Sequence, residues 1–244
     1  MMDRQKKIAD SYKKTKTMTQ KSITEFIQFL ETINLDYYRK KFAANKSVEE
    51  DLPSNIQILE FIYEKYWVER SFLPFEEFIF WVISKIESNL IAYNNKRNNF
   101  SEYADSAYLA FKEGWIARQY RTWTSILTQI QFGFVCEEYY PNNKIIINPE
   151  LDRQGVDVRV MDICDYGVKK FSNRKDIIKM KREESVGVVP ITYWVPPQGV
   201  IKNPKKKNGD YRKPYLDFRN DTRLDILNNG FIIFNKKVFD ELGK

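Results

Sequence analysis

The chain has 244 residues, with 40 Lys and Arg, 33 Asp and Glu and no histidine, which gives a formal net charge of +7. The lack of histidine excludes a Ser-His-Asp triad, a Cys-His pair, a His general base and a His-ligated zinc. The two cysteines, Cys136 and Cys164, are too few for a zinc cluster or a disulfide framework, and we expect free thiols in a reducing cytoplasm. Any catalysis must therefore use carboxylates, lysine, hydroxyl groups or a metal ion held by oxygen.

The composition predicts a globular cytoplasmic protein, because 43% of the residues are hydrophobic and 15% are aromatic. No apolar run approaches the roughly 18 residues that a membrane span needs. The beginning of the sequence also lacks the apolar region of a signal peptide. The basic excess suits a polyanionic partner, but only if the positive charge is concentrated on one surface.

The first part of the chain is predicted to be a basic arm, residues 1–22, followed by a helical subdomain, residues 23–102. The arm contains seven Lys and Arg against two Asp, and is either a solvated helix or a segment that touches DNA phosphates. Apolar residues recur at helical spacing from Ile23 onward. A long helix is then predicted over residues 103–140, with Gly114 as a point where it could break.

The second part of the chain is richer in strands. Residues 155–160 and 166–171 alternate between apolar and polar, and the polar stretch between them predicts a hairpin. Residues 186–195 and 231–234 predict two further strands. Helices first and a mixed sheet second predict an α+β fold with an N-terminal helical subdomain.

Residues 103–244 are predicted to form the catalytic and DNA-binding core. Within it, residues 144–220 contain 17 Lys and Arg against 10 Asp and Glu, so this segment carries a strong positive charge. Four of these cations are expected to clamp phosphates from one basic loop: Lys205, Lys206, Lys207 and Arg212. Such a distribution is typical of a protein that holds a nucleic-acid backbone on one face.

Asp157 and Lys169 lie on the two strands of the predicted hairpin and can face the same side, since opposed residues of an antiparallel pair are about 5 Å apart. Such a pair can be a surface ion pair of little energetic value. The alternative is phosphodiester hydrolysis, in which Asp157 ligates Mg²⁺ through oxygen. Lys169 would then hold the attacking water and stabilise negative charge, and the carbonyl group of Val168 would offer a further oxygen.

Gly155-Val-Asp157 followed by Val168-Lys169 resembles the core of the PD-(D/E)XK nucleases. This resemblance implies a restriction-endonuclease-like core, with a mixed central sheet flanked by helices. A longer set of motifs, over roughly residues 23–195, is similar in order and spacing to the TaqI restriction endonuclease family. The matching segments of this chain are Phe29-Leu30, Leu35, Tyr38, Ser47–Pro53, Arg121–Gln131, Glu137-Glu138, Pro149-Glu150, Asp152-Arg153, Gly155–Asp157 and Val168–Lys170. A weaker similarity lies at residues 230–234.

The resemblance implies a type II restriction endonuclease that cuts both strands of a short palindrome as a homodimer, with Mg²⁺ as cofactor. For the family this palindrome is TCGA, cut after the T, and a cognate methyltransferase is expected in the same host. At the matching positions, Asp157 would be the main metal ligand, Lys169 the catalytic lysine and Asp152 a second active-site acid.

The sequence departs from the family pattern at Gly167. This residue occupies the first position of the acid-x-lysine triplet, where the family pattern has glutamine, so a side-chain contact is missing. The metal site would have to depend on Asp157, Asp152, the carbonyl group of Val168 and an acid on the long helix, for which Glu138 is the best candidate.

Further DNA contacts are expected close to the catalytic lysine and on the long helix. Lys170, Ser172 and Arg174 follow Lys169, and Lys170 either reaches DNA or is solvated. Arg121 could line the DNA cleft or a dimer interface. Two rival functions stay open: a catalytically inactive sequence-specific DNA-binding protein, which Gly167 makes plausible, and a nonspecific repair nuclease.

Overall fold

The computed structural model describes residues 22–42, 44–99, 105–171, 187–195 and 203–240. The predicted arm, apart from Ser22, lies outside these residues, as do two of the expected DNA contacts, Ser172 and Arg174.

Contacts divide the chain into two units. A helical unit contains Thr24–Ile130 and Asn228–Phe231, and a sheet unit contains the described parts of Gln131–Leu227 and Ile232–Lys244. The three-part division expected from the sequence stays a prediction, and its boundary at residue 102 falls outside the described residues.

The helical unit is built from apolar-striped helices. The helices are α1 at residues 22–32, α2 at Leu35–Phe42, α3 at Leu59–Ile62, α4 at Phe75–Asn98 and α5 at Asp105–Tyr139, of which only the first part belongs to this unit. A 3-10 turn lies at Ser54–Ile56, and a π-helix at Tyr63–Val68 continues α3. The rings of Phe75, Tyr120 and Trp123 pack with centroids 5.2–6.1 Å apart at the centre of this unit. No helix among the described residues is long and apolar enough to cross a membrane.

Helix α5 runs through Gly114 without interruption, so the expectation of a break there is wrong. A Cβ atom at Gly114 would lie 2.0 Å from Oγ of Ser47 and 3.0 Å from Cγ2 of Val48. Glycine is therefore present because another segment approaches the helix closely.

The sheet unit contains a four-stranded mixed sheet in the order β1-β2-β3-β4, which confirms the predicted α+β class. The strands are β1 at Ile145–Ile146, β2 at Val158–Val160, β3 at Cys164–Phe171 and β4 at Val188–Trp194. Strands β2 and β3 form the predicted antiparallel hairpin, with Val158 opposite Tyr166, whereas β3 and β4 are parallel.

The other elements of the sheet unit are short. They are α6 at Pro149–Arg153, α7 at Lys213–Arg219, β5 at Leu224–Ile226, β6 at Ile232–Phe234 and α8 at Lys237–Asp240. Strands β5 and β6 pair antiparallel with each other. The last turns of α5 pack on both sheets through Phe132. Its ring centroid lies 5.5 Å from that of Tyr166 on β3 and 5.2 Å from that of Phe234 on β6.

Gln131 connects α5 to the second sheet. Its buried side-chain amide donates to the carbonyl oxygen of Phe234 at 2.9 Å and accepts from the N–H of the same residue at 2.8 Å. One side chain thus pairs with β6 as the backbone of a further strand would.

Candidate active site

Asp157 is held at the beginning of the hairpin by both its backbone and its side chain. Its N–H donates to the carbonyl oxygen of Tyr166 at 2.9 Å, which extends the pairing of β2 with β3. The side chain is only 2% exposed, and its Oδ2 accepts from the N–H of Val168 at 2.5 Å. The carboxylate is therefore fixed against the middle of β3.

Lys169 reaches this buried carboxylate from the solvent side. Its Nζ lies 3.8 Å from Oδ2 of Asp157, while its side chain is 47% exposed. In an extended strand, the N–H and carbonyl groups of one residue point to the same side, toward the same neighbouring strand. The carbonyl oxygen of Val168 consequently faces the side on which Asp157 lies.

The electrostatics at Asp157 favour a bound cation. Burial raises the pKa of Asp157 to about 7, against the lowering effects of Lys169 and the Val168 N–H, and Asp152 raises it further through its charge and a hydrogen bond. Two carboxyl groups that oppose each other's ionisation would be stabilised by a divalent cation, and Mg²⁺ prefers oxygen ligands. The residues present therefore fit such an ion. Among the described residues no group of three or more His, Cys, Asp or Glu side chains is placed to hold a metal, so backbone oxygens would have to complete the set.

Asp152 is positioned by the short helix α6. Asn148 caps its N-terminus, because the side-chain oxygen accepts from the N–H of Leu151 at 2.8 Å. At the other end, Gly155 adopts φ +81°. The N–H groups of Gly155 and Val156 donate to the carbonyl oxygens of Asp152 and Leu151, both at 2.9 Å, which is the Schellman motif.

Helix α6 was not predicted, although the sequence contains its signals. Asn148 is a good N-cap residue, Pro149 suits the first helical position and Gly155 suits the position after the C-cap. The helix places the half-buried Asp152 within hydrogen-bond reach of Asp157.

The structure gives Glu138 a different partner from the one expected. Its Oε1 lies 2.6 Å from Nζ of Lys236 at the end of α5. Its role as a metal ligand stays a prediction, and a bound ion would have to compete with this lysine.

The basic loop forms as expected. Lys205, Lys206, Lys207 and Arg212 are all exposed, and a bridge from Lys205 to Tyr211 closes the turn, in which Gly209 has φ +90°. The Nζ of Lys205 lies 5.2 Å from the centre of the Tyr211 ring. This loop belongs to the same unit as Asp157.

Two other residues expected to bind DNA lie on different units. Lys170 is exposed on β3, and in a regular strand it points to the face opposite Lys169. Arg121 is exposed on the part of α5 that belongs to the helical unit, where its guanidinium donates to the carbonyl oxygen of Asn45 at 3.3 Å.

Arg223 binds the strand next to the candidate site, and the sequence did not reveal this contact. It donates to the carbonyl oxygen of Thr192 on β4 at 3.1 Å, and Thr192 is the register partner of Lys169. Its guanidinium also pairs with Asp221 at 2.7 Å. Burial alone would raise the pKa of Asp221, but the hydrogen bonds from Arg223 outweigh it and leave this pKa below its ordinary value. No local motif marks this contact, since 31 residues separate its partners.

Comparison with known proteins finds a matching family model and two relatives. The family model of the TaqI restriction endonuclease matches residues 23–243. The type II restriction enzyme TaqI of Thermus aquaticus is 29% identical over 238 residues, which cover 90% of this chain and 86% of that protein. The type II restriction enzyme TthHB8I of Thermus thermophilus is 25% identical over 237 residues, covering 93% and 88% of the two chains. No solved structure matches the chain.

Proposed function

Because the chain belongs to the TaqI restriction endonuclease family and is thus a site-specific endonuclease, we propose that it cuts both strands of the palindrome TCGA with Mg²⁺ as cofactor. The observation that carries this proposal is the buried Asp157, with its raised pKa, 3.8 Å from Lys169 and beside Asp152. The specific sequence TCGA comes from the family resemblance.

Asp157, Asp152 and the carbonyl oxygen of Val168 would hold the metal ion. When bound, Mg²⁺ would neutralise charge on the scissile phosphate and favour deprotonation of a water ligand. The N–H of Val168 fixes the carboxylate of Asp157, so the ligand needs little reorganisation. A preorganised ligand of this kind lowers the free energy needed to assemble the site.

Lys169 would act on the attacking water and on the phosphate oxygens. Its ammonium group is close to Asp157, but its side chain is half exposed and can turn toward a bound backbone. A positive charge placed where negative charge develops stabilises the transition state. None of these steps needs an imidazole group, which fits a chain without histidine.

A palindrome is symmetric, so cutting both strands is best served by two identical sites related by a twofold axis. We therefore propose a homodimer, in the cytoplasm together with the DNA, and a cognate methyltransferase that protects the host's own sites. The exposed cations of the basic loop and Lys170 would contact phosphates. Ser172 and Arg174 stay candidates outside the described residues.

The test is digestion of a supercoiled plasmid by wild type, Asp157→Asn and Lys169→Ala. Each variant should lose at least about 100-fold in cleavage rate, since charge-stabilising groups at such sites contribute about that much. Both should still retard DNA in gels without Mg²⁺. Asp36→Asn and Lys144→Ala are matched controls, because both residues are exposed and lie outside the site.

The products also distinguish the alternatives. Product ends that sequence to TCGA would support the full proposal. Discrete ends at another sequence would support endonuclease activity but reject TCGA as the recognition sequence. A smear would favour a nonspecific nuclease. Retarded DNA without nicks would favour an inactive DNA-binding protein, the alternative that Gly167 supports, and wild-type cleavage by Asp157→Asn would reject this active site.

A further inference from the structure

The backbone of Gly155 fills the space into which a side chain at position 167 would extend. A Cβ atom added to Gly167 would lie 3.3 Å from the carbonyl oxygen of Gly155 and 3.3 Å from Cγ1 of Val188. These contacts are tighter than ordinary van der Waals distances. The carbonyl group of Gly155 can therefore approach β3 this closely because residue 167 has no side chain.

The turn after α6 points this carbonyl group at β3. The N–H of Val156 donates to the carbonyl oxygen of Leu151, which fixes the peptide group that joins Gly155 to Val156. In a trans peptide the N–H and carbonyl groups point in opposite directions. The carbonyl oxygen of Gly155 therefore points away from α6, and the φ of +81° that this requires is strained for any other residue.

The same oxygen lies on the catalytic face of β3. Gly167 and Lys169 are two residues apart on the strand and share a face, and the added Cβ atom would be 3.8 Å from Cε of Lys169. Along the chain, Gly155 stands between Asp152 and Asp157. Backbone carbonyl oxygens are regular ligands of hard divalent cations.

We propose that the carbonyl oxygen of Gly155 is a metal ligand that replaces the side-chain oxygen missing at Gly167. This inference rests on the proposed Mg²⁺-dependent function. The proposal explains why glycine replaces the family's glutamine at position 167, because a side chain there would displace the carbonyl oxygen of Gly155. The ligand set becomes two carboxylates and neutral backbone oxygens, with no donor from the triplet's first side chain.

The direct test is NMR of protein labelled with carbonyl-¹³C glycine and ¹³C aspartate, titrated with Mg²⁺ in the absence of DNA. The Gly155 carbonyl resonance should shift with the same midpoint as the Asp157 carboxyl resonance, and Asp157→Asn should abolish both shifts. The Gly114 carbonyl, inside α5, is the internal reference and should not respond. Shifts of Asp157 and Asp152 without a shift of Gly155 would overturn the inference while leaving the metal site intact. No shift at any of these residues would instead contradict the proposed function.

A second test uses Gly167→Ala, which places a methyl group against the carbonyl oxygen of Gly155. Its Kd for Mg²⁺, measured by calorimetry, should rise roughly tenfold, as expected when a metal ligand is displaced or misoriented. Val188→Ala should bind as wild type does, and the double variant should keep the defect because the contact with Gly155 remains. Recovery in the double variant would assign the effect to Val188, and unchanged binding by Gly167→Ala would reject the proposal. Melting curves without metal check that each variant folds. If Gly167→Ala does not fold, the NMR titration of the wild-type protein still tests the proposal.

Discussion

Gln131 satisfies both backbone groups of Phe234 with a single buried side chain. We predict that Gln131→Leu lowers the free energy of unfolding by about 2–4 kcal/mol, because it leaves a buried N–H and a buried carbonyl group without their partner. Urea unfolding at neutral pH measures this difference. Ser125→Leu, at an exposed position of the same helix, should change stability by less than about 0.5 kcal/mol. Equal stability of Gln131→Leu and wild type would show that water or a rearranged strand replaces the amide.

At the scale of residues, the sequence predicts best where chemistry and local pattern coincide. The sequence indicates that Asp157 and Lys169 can lie on the same side of the hairpin, because side chains alternate along each strand, but it leaves open whether they form only a surface ion pair. Gln131 and Arg223 could not be assigned their roles, since their partners are 103 and 31 residues away. A polar residue in a helical pattern gives no sign of the backbone it will bind.

Helix α6 is the element on which the position of Asp152 depends. We predict that Asn148→Ala lowers stability by about 1 kcal/mol, because it removes the side-chain acceptor for the N–H of Leu151. The same change should raise the Mg²⁺ concentration needed for half-maximal cleavage, since a frayed α6 holds Asp152 less firmly. Thermal melts and cleavage rates across a Mg²⁺ series measure the two effects.

Asn148→Ser provides the matched control, because serine is also a good N-cap residue and should preserve both properties. If Asn148→Ala melts earlier but needs no more Mg²⁺, α6 contributes to stability without positioning the metal site.

At the scale of elements, length decides what can be predicted. The long helices and β3 show several periods of their pattern, whereas α6 has only five residues and shows none. Only the residues at its ends, Asn148, Pro149 and Gly155, indicate this helix in the sequence. The parallel pairing of β3 with β4 was not predictable, because the alternation of a strand is the same for either direction and the connecting residues decide it.

For the molecule as a whole, the positive charge of the sheet unit predicts how DNA binding responds to salt. Replacing Lys205, Lys206 and Lys207 together with glutamine should reduce the slope of log K against log salt by about 0.9 for each phosphate that the loop no longer neutralises. Cleavage in saturating DNA at low salt should change much less, since the active-site residues are intact. Fluorescence anisotropy over a salt series measures the slope.

Lys40→Gln is the control, because this exposed lysine belongs to the helical unit. Identical slopes for the triple variant and wild type would show that the basic loop does not touch phosphates in the complex.

The helical unit includes four residues from much later in the sequence, Asn228–Phe231. Asn229 donates to the carbonyl oxygens of Leu30 and Ile33, and 199 residues separate it from Leu30. A chain emerging from the ribosome usually folds its first part first. Here α1 and the residue after it receive two hydrogen bonds only once Asn229 has been made, and β6 of the sheet unit follows shortly after that residue. A chain that stops before Asn228 therefore lacks parts of both units, and we expect it not to cut DNA.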